Sequence, residues 1–408
     1  MKVLIKIAWR NIWRNTVRSL VIVTSIVLGL WVGTFVNALY YGMGEDRVNI
    51  AIQNEISHIQ IHHPRFKEDY KAKYTVTVDD DMKTKLHNTA NIVSWSARSI
   101  AQGMLATTSG GTGIQINGID PVAEDLTTHL AGKIVEGQYL NNDKANQIII
   151  GAKLAMRMKL KIKSKIVLTY LDKDDNIASG AFRVAGIFAS NNSGWDNANV
   201  FIRNGDLNPS MGIDSNQVNE IAILLNSNRN IDTATATIKS EFPQYKVENW
   251  MEISPETSTI ISLLSQVSFV FIVIILLALS FGIVNTMLMA VLERTREIGM
   301  LLALGMNRAK VFALITFETF FLVMLGCPIG MFIGWATVQY LSVHGLDLAA
   351  MTPKSTMASY GFSSVLYPNL PLTKYIVIIF LVIVTALLSS IFPAIKALKL
   401  NPAETIKE

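Results

Sequence analysis

His58, His62 and His63 are the first side chains whose types and spacing could do chemistry, as ligands of a metal ion. In the alternating stretch 57–62 the pair His58 and His62 shares one face of a strand. Four residues of extended chain set them roughly 13 Å apart, too far for one ion to bridge, so the pattern reads as a strand without a metal. Asp79-Asp80-Asp81 reads as a solvated helix start. Ser109-Gly110-Gly111-Thr112-Gly113 is glycine-rich but has no lysine, which suits a hairpin turn. No G-x-x-x-x-G-K-[ST] occurs, so the chain is not expected to bind and hydrolyse ATP by the phosphate-loop route. No Ser/His/Asp or Cys/His set has catalytic spacing, and the single Cys327 excludes an intrachain disulfide or a cysteine-rich metal site. The chain therefore reads as non-enzymatic, with no metal and no cofactor of its own.

What the sequence does supply is apolar length. It is 408 residues long, 50% hydrophobic and only 16% charged, and uncharged runs this long point to membrane helices. Residues 19–44 and 257–292 hold no charge at all, and the run after Val311 holds only Glu318 before His344. The charge is uneven. Residues 45–256 carry 22 Lys and Arg against 25 Asp and Glu, a net of −3, whereas the remainder carries 14 against 6, a net of +8. That excess flanks the apolar runs, where it sets topology, and argues against a nucleic-acid partner.

Residues 1–18 have Lys2, Lys6, Arg10, Arg14 and Arg18 and no acid, with Ile5, Trp9, Ile12 and Trp13 at helical spacing. This predicts an interfacial helix with its tryptophans at headgroup level; a nucleic-acid-binding helix is the alternative. Residues 19–44 are too long for a signal-peptide core and predict an uncleaved first transmembrane helix. Residues 257–292 predict the second, longer than the roughly 30 Å hydrocarbon core and so able to extend as a stalk. Residues 311–341 predict the third and residues 375–395 the fourth, with a loop at 342–374 and a tail at 396–408. Gly326, Gly330 and Gly334 repeat every four residues on the third, a close-packing face. It suits either a seam between subunits or packing within the chain. Glu318 in the same helix suits a structural ion or a proton relay.

Residues 293–310 between the second and third crossings open with ERTREIGMLLALG. Ile298, Leu301, Leu302 and Gly305 fall on one helical face, and Gly305 is placed to stop the helix. Such a segment can receive force from a partner or can be an idle surface loop. Basic residues cluster before the first helix, between the second and third, and after the fourth. Positive-inside topology then puts both termini and residues 293–310 in the cytoplasm, and residues 45–256 and 342–374 outside.

Residues 45–256 predict a mixed domain. Strands are expected at 57–62, 92–100, 218–225 and 245–250, with helices at 79–88 and 231–242, making two β-α-β units. Between them, about 109–207, short strands at 113–118, 166–170, 182–188 and 200–203 predict a β-rich insertion. The fold class expected is an α-helical membrane protein with four transmembrane helices and a large extracytoplasmic α/β plus β domain.

Several motifs together resemble one family. Asn285-Thr286-Met287 before ERTREIGMLLALGMNRAKVF, Glu318 with the three spaced glycines, Phe392-Pro393-Ala394, Asn401-Pro402-Ala403 and Ala8-Trp9-Arg10-Asn11 are similar to FtsX/MacB-type ABC transporter permeases. Gly118-Ile119-Asp120-Pro121, Ile150-Gly151 with Leu154-Ala155, and Val184-x-Gly186-Ile187 resemble the MacB-like periplasmic core domain. Within that family His58-Ile59-Gln60-Ile61-His62, Gly345-Leu346-Asp347-Leu348 and Leu366-Tyr367-Pro368 are most similar to the LolC/LolE lipoprotein-release permeases.

The resemblance implies a permease paired with a second copy or a paralogue and served by a separate cytoplasmic ATPase dimer, which would hold the ATP and Mg. It implies that residues 293–310 hold the coupling helix on that ATPase, with Glu293, Arg294, Arg296, Glu297, Gly299, Leu302 and Gly305 as coupling residues. It implies release of lipoproteins from the cytoplasmic membrane, their acyl chains coming in near Phe35, Leu39, Ile260 and Leu264, for which plain lipid contact or helix packing is the alternative. A periplasmic carrier would take the cargo, although the turn between Tyr170 and Phe182 is short and polar where a LolC-type subunit has an extended hook. MacB-like export of an amphiphile, peptide or drug, and FtsX-like signalling to a cell-wall hydrolase, are the alternatives.

Overall fold

The computed structural model describes residues 2–108, 110–141, 144–349 and 352–398. The tail beyond 398, with Asn401-Pro402-Ala403, lies outside them. The helices that matter here are, in chain order, α1 (Lys2–Arg14), α2 (Thr16–Ala51), α3 (Asp80–Asn88), α4 (Pro121–Thr128), α5 (Ile231–Glu241), α6 (Pro255–Glu293), α7 (Thr295–Ala303), α8 (Arg308–His344) and α9 (Leu372–Leu398). The strands are β1 (Ile59–His62), β2 (Ile92–Thr107), β3 (Gly110–Ile119), β4 (Gln147–Gly151), β5 (Lys165–Leu171), β6 (Ile177–Phe188), β7 (Asn199–Arg203), β8 (Glu220–Leu225) and β9 (Lys246–Asn249). They fall into a helical unit (Met1–Gly44, Ser262–Leu346, Val365–Glu408) and a mixed unit (Glu45–Ile261, Asp347–Ser364).

Helices α2, α6, α8 and α9 are each long and apolar enough to cross a membrane, which makes this a multi-pass membrane protein. All four are longer than their apolar cores suggested. Hydropathy marks where a helix meets lipid, whereas the backbone stops at a cap. Thus α2 runs on through Glu45 and Asp46 to Ala51 and ends in a π-turn, with Ser57 at φ 61°. Asn307 caps α8 by accepting from the amide of Ala309. Neither Pro328 nor Pro393 interrupts its helix.

Inside the helical unit α2 packs between α6 and α8. One flank meets α6: Gly29 faces Leu279, Gly33 faces Ile275, Asn37 accepts a hydrogen bond from Ser268, and Tyr40 stacks on Phe271. Across the contact the partner numbers drop from 279 and 275 to 268 and 271 as those on α2 rise, so the two helices run antiparallel. Its other flank meets α8. A Cβ on Gly326 would come within 2.9 Å of Ile26, one on Gly330 within 2.9 Å of the Val27 Cα, and one on Gly334 within 3.1 Å of Thr34. These partners rise together, so α2 and α8 run parallel, as first and third crossings must. The glycine stripe therefore packs within the chain, on α2. Ser389 of α9 adds a hydrogen bond to Ser280 of α6.

In the mixed unit, antiparallel pairing gives the order β9-β1-β8-β2. This is two interleaved split β-α-β units, β1-α3-β2 and β8-α5-β9. Asp79 caps α3 through the Met82 amide. Leu86, Ile238, Ile59, Ile61, Ile221 and Ile223 fill the layer between helices and sheet. The second half of β2 leaves this sheet and joins a closed ring, β2-β3-β7-β4-β6-β5 and back to β2. Alternate residues such as Leu105, Ile116, Leu168, Phe182, Val184 and Val200 fill the interior.

Two boundaries differ from the sequence reading. The expected strand at 92–100 continues to Thr107, so the β-rich part begins inside a strand, at about Ser99, not at 109. The expected strand at 182–188 begins at Ile177, because β5 and β6 stay paired down to Leu171 and Ile177. Small residues in both stretches (Ala101, Gly103, Ala178, Gly180) had hidden the alternation. The turn at 172–176 is closed by Asp172, which accepts from the amides of Asp174 and Asn176, and is tied down by Lys71 on Asp175 at 2.9 Å.

Residues 347–364 of the loop between α8 and α9 belong to the mixed unit. The Ser363 amide donates to Asp46 at 2.9 Å, and Asn191 donates to the Ser363 hydroxyl at 3.2 Å.

Candidate functional site

Helix α7 is short, lies between two membrane-length helices, and has two different faces. Its C-terminus is closed by paired turns: the Gly305 amide bonds the Leu302 carbonyl and the Met306 amide bonds that of Leu301. Gly305 stands at φ 90° with open space where a Cβ would sit, so its backbone conformation and not crowding calls for glycine. Ile298 and Gly299 are buried, and Leu302 packs against the helical core. The opposite stripe, Arg296, Met300 and Leu304, is bare, with Met300 53% and Leu304 80% exposed.

The buried side of α7 is held by charge. Arg14, at the end of α1, places Nη2 2.7 Å from both carboxylate oxygens of Glu297. Arg294 adds its Nε at 3.0 Å. Burial opposes ionisation of Glu297, but the hydrogen bonds from Arg14 and Arg294 outweigh it and hold the carboxyl below its usual value. Arg294 also reaches Glu318 of α8 at 3.4 Å, and Arg18 of α2 reaches the same carboxylate at 3.3 Å and Glu293 at 3.5 Å. Glu318 is only 4% exposed. Three arginines and three glutamates thus join α1, α2, the α6–α7 junction, α7 and α8. Two cations face Glu318, which gives it a structural partner set.

Among the residues expected to couple, Glu293, Arg296 and Gly305 are exposed, Arg294 and Glu297 belong to the ion cluster, and Gly299 and Leu302 face inward. Met300 and Leu304 are the exposed members that the sequence reading passed over. The four-residue repeat Arg296, Met300, Leu304 was the available signal. Arg14 and Arg18, expected to set topology, bind acids of α6, α7 and α8. Phe35, Leu39, Ile260 and Leu264 are each half-buried.

The histidines belong to the sheet. His58 accepts a hydrogen bond from the Leu225 amide through Nδ1, and burial pushes it down to about 4. His62 is buried beside Phe66 and pushed down to about 3, chiefly by burial.

Residues 269–402 match the family described as FtsX-like permease C-terminal. An ABC transporter permease of Methanocaldococcus jannaschii is 26% identical over 67% of this chain, and the match takes in 65% of that relative, just under two thirds of its length. The lipoprotein-releasing system transmembrane protein LolE of Haemophilus influenzae is 21% identical over 72% of each chain. Among solved structures, the periplasmic region of MacB from Actinobacillus actinomycetemcomitans covers 55% of this chain and 95% of its own, at 13% identity and a TM-score of 0.34. The chain thus carries an FtsX-like permease domain and is related to ABC transporter permeases of the LolC/LolE and MacB kind.

Proposed function

We propose that this chain is the membrane subunit of an ABC transporter that takes lipoproteins out of the cytoplasmic membrane, driven by a separate cytoplasmic ATPase dimer. The observation that carries the coupling part is the division of α7 into a clamped face and a bare one. Arg296, Met300 and Leu304 form a stripe of one cation and two large apolar groups, which suits a protein partner better than water. The opposite face is tied to α1 and α8 through Arg14, Glu297, Arg294 and Glu318. A push on the stripe would therefore move three helices together. Positive-inside charge supports a cytoplasmic α7 and an extracytoplasmic mixed unit. ATP and Mg would be held by the ATPase, and a second permease copy or paralogue would complete the complex.

Lipoprotein as cargo is supported by the likeness to LolE. Acyl chains would come in along α2 and α6, near Phe35, Leu39, Ile260 and Leu264. Any periplasmic carrier would have to dock without a free hook, since β5 and β6 are paired to the base of their turn.

The test is purification of the chain with its ATPase from membranes, followed by mass spectrometry of what accompanies it. Triacylated lipoprotein released on ATP addition is the expected result. A small amphiphile in its place would favour MacB-like export, and a cell-wall hydrolase with no lipid cargo would favour signalling; either would remove lipoprotein release.

A further inference from the structure

Independently of how α7 is driven, we propose that the mixed unit holds a binding cleft for a small anion carrying two phosphate groups. The cleft is an open groove of about 1000 Å³ between β5, β6 and the segment leading into β4, at the upper end of the range for small-ligand sites. Lys144, Lys163, Lys165 and Arg183 line it, with the amide side chains of Asn146 and Gln147. No carboxylate lines it among the described residues. The nearest one bonded to a lining residue, Asp206, accepts from the Asn146 amide and is already paired with Arg203 at 2.8 Å.

The four lining cations sit inside a 45–256 segment whose net charge is −3. Two of them, Lys163 and Lys165, end the run 153–165, which has six Lys and Arg and no acid. Lys165 and Arg183 are also direct partners across the β5–β6 pair. Like charges opposite one another weaken a sheet. Lys163 adds to the crowding. It sits at φ 70°, a conformation lysine rarely adopts, with its amide held by the Val184 carbonyl. An anion seated among the four cations would offset the repulsion between them.

The spacing favours phosphate over carboxylate. Directly opposed residues lie about 5 Å apart, while same-face side chains of an extended acidic peptide lie about 7 Å apart. A diphosphate packs two multiply charged groups with several acceptor oxygens each into the shorter span. Lysine supplies point charges, and the Arg183 fork can take two oxygens. A free diphosphate and a lipid headgroup bearing two phosphates offer the same chemistry.

The experiment uses the full chain in detergent and inorganic pyrophosphate as the soluble probe. Vesicles containing a diphosphate lipid are the second probe, with phosphatidylcholine vesicles as control. Saturable binding that weakens with salt is expected for at least one probe. The variant Lys165→Gln/Arg183→Gln should weaken it by about tenfold or more. Lys153→Gln, an exposed cation outside the cleft lining, should leave it unchanged. Pyrophosphate binding alone assigns the soluble source, and vesicle binding lost in the double variant assigns the headgroup. No saturable binding of either probe, equal loss in Lys153→Gln, or displacement of pyrophosphate by polyglutamate at lower concentration would overturn the proposal.

Discussion

Arg14 Nη2 is equidistant, at 2.7 Å, from the two carboxylate oxygens of Glu297, across 283 residues of sequence. Both side chains are about half exposed, so this contact adds about 1 kcal/mol or less to stability. Its consequence is positional: it fixes the end of α1 to the first turn of α7. If the pair acts as one unit, Arg14→Ala, Glu297→Ala and the double variant should lose ATPase stimulation to the same extent, with little change in melting. A double-mutant cycle on ATP turnover of the complex measures this. Additive losses would sink the link.

The bare stripe and the packed face of α7 predict opposite phenotypes. Leu304→Asp changes a side chain in solvent and should shift stability by less than about 0.5 kcal/mol, yet prevent the ATPase from co-purifying. Leu302→Asp places a charge against the helical core and should destabilise the chain itself. Co-purification yield beside a detergent melting curve distinguishes them. A Leu304→Asp chain that still retains its ATPase would show that the stripe is not the contact.

Much of this was legible in advance. The four crossings followed from long apolar runs, three of them free of charge and the third crossing holding only Glu318, and Gly305 as a helix stop followed from its place after the apolar pattern. Two β-α-β units followed from the strands and helices expected at 57–100 and 218–250, but their interleaving in one sheet did not. Other features were hidden for physical reasons. Periodicity names the apolar face of α7 but cannot reveal what meets its charges, because Arg14 and Glu318 approach from other helices. Strand β2 carries no mark at Ser99, where it exchanges one set of partners for another, because an extended backbone looks the same in both sheets. The basic residues of 153–165 were visible, but only the folded β5–β6 pair sets Lys165 opposite Arg183.

Glu318 should behave as a structural ion. Glu318→Ala would leave Arg18 and Arg294 buried without their shared partner and should cost about 3–5 kcal/mol. Removing one cation as well, in Arg18→Gln/Glu318→Gln, should recover part of the loss. Unfolding in mixed micelles measures both. A proton relay would instead give a normally stable Glu318→Ala chain with altered pH dependence of transport.

The three glycines of α8 should not be equivalent. A Cβ at Gly330 meets the Val27 Cα at 2.9 Å, and backbone cannot give way. At Gly326 the obstacle is the Ile26 side chain, and at Gly334 the first contact is the looser 3.1 Å approach to Thr34. Gly330→Ala should therefore be the most damaging, by about 1–3 kcal/mol, and Gly334→Ala the mildest. Equal effects at the three sites would mean that the α2–α8 contact yields as a whole.

His58 makes the mixed unit sensitive to acid. Its Nδ1 must stay unprotonated to accept the Leu225 amide. Burial lowers its folded pKa to about 4 from an ordinary 6.5. Protonation therefore favours the unfolded chain. The contribution is complete above pH 6.5 and is drained as pH falls towards 4, by an amount on the order of 3 kcal/mol. His62, pushed down to about 3, acts with the same sign. Asp196 opposes both: burial raises it to about 6 from 3.8, so it adds stability as pH falls through that interval. Comparing wild type with His58→Asn removes the terms common to both. The asparagine keeps an acceptor for Leu225 but cannot titrate, so the variant's melting temperature should fall less steeply between pH 6.5 and 4. Parallel slopes for the two proteins would mean that another group carries the acid response.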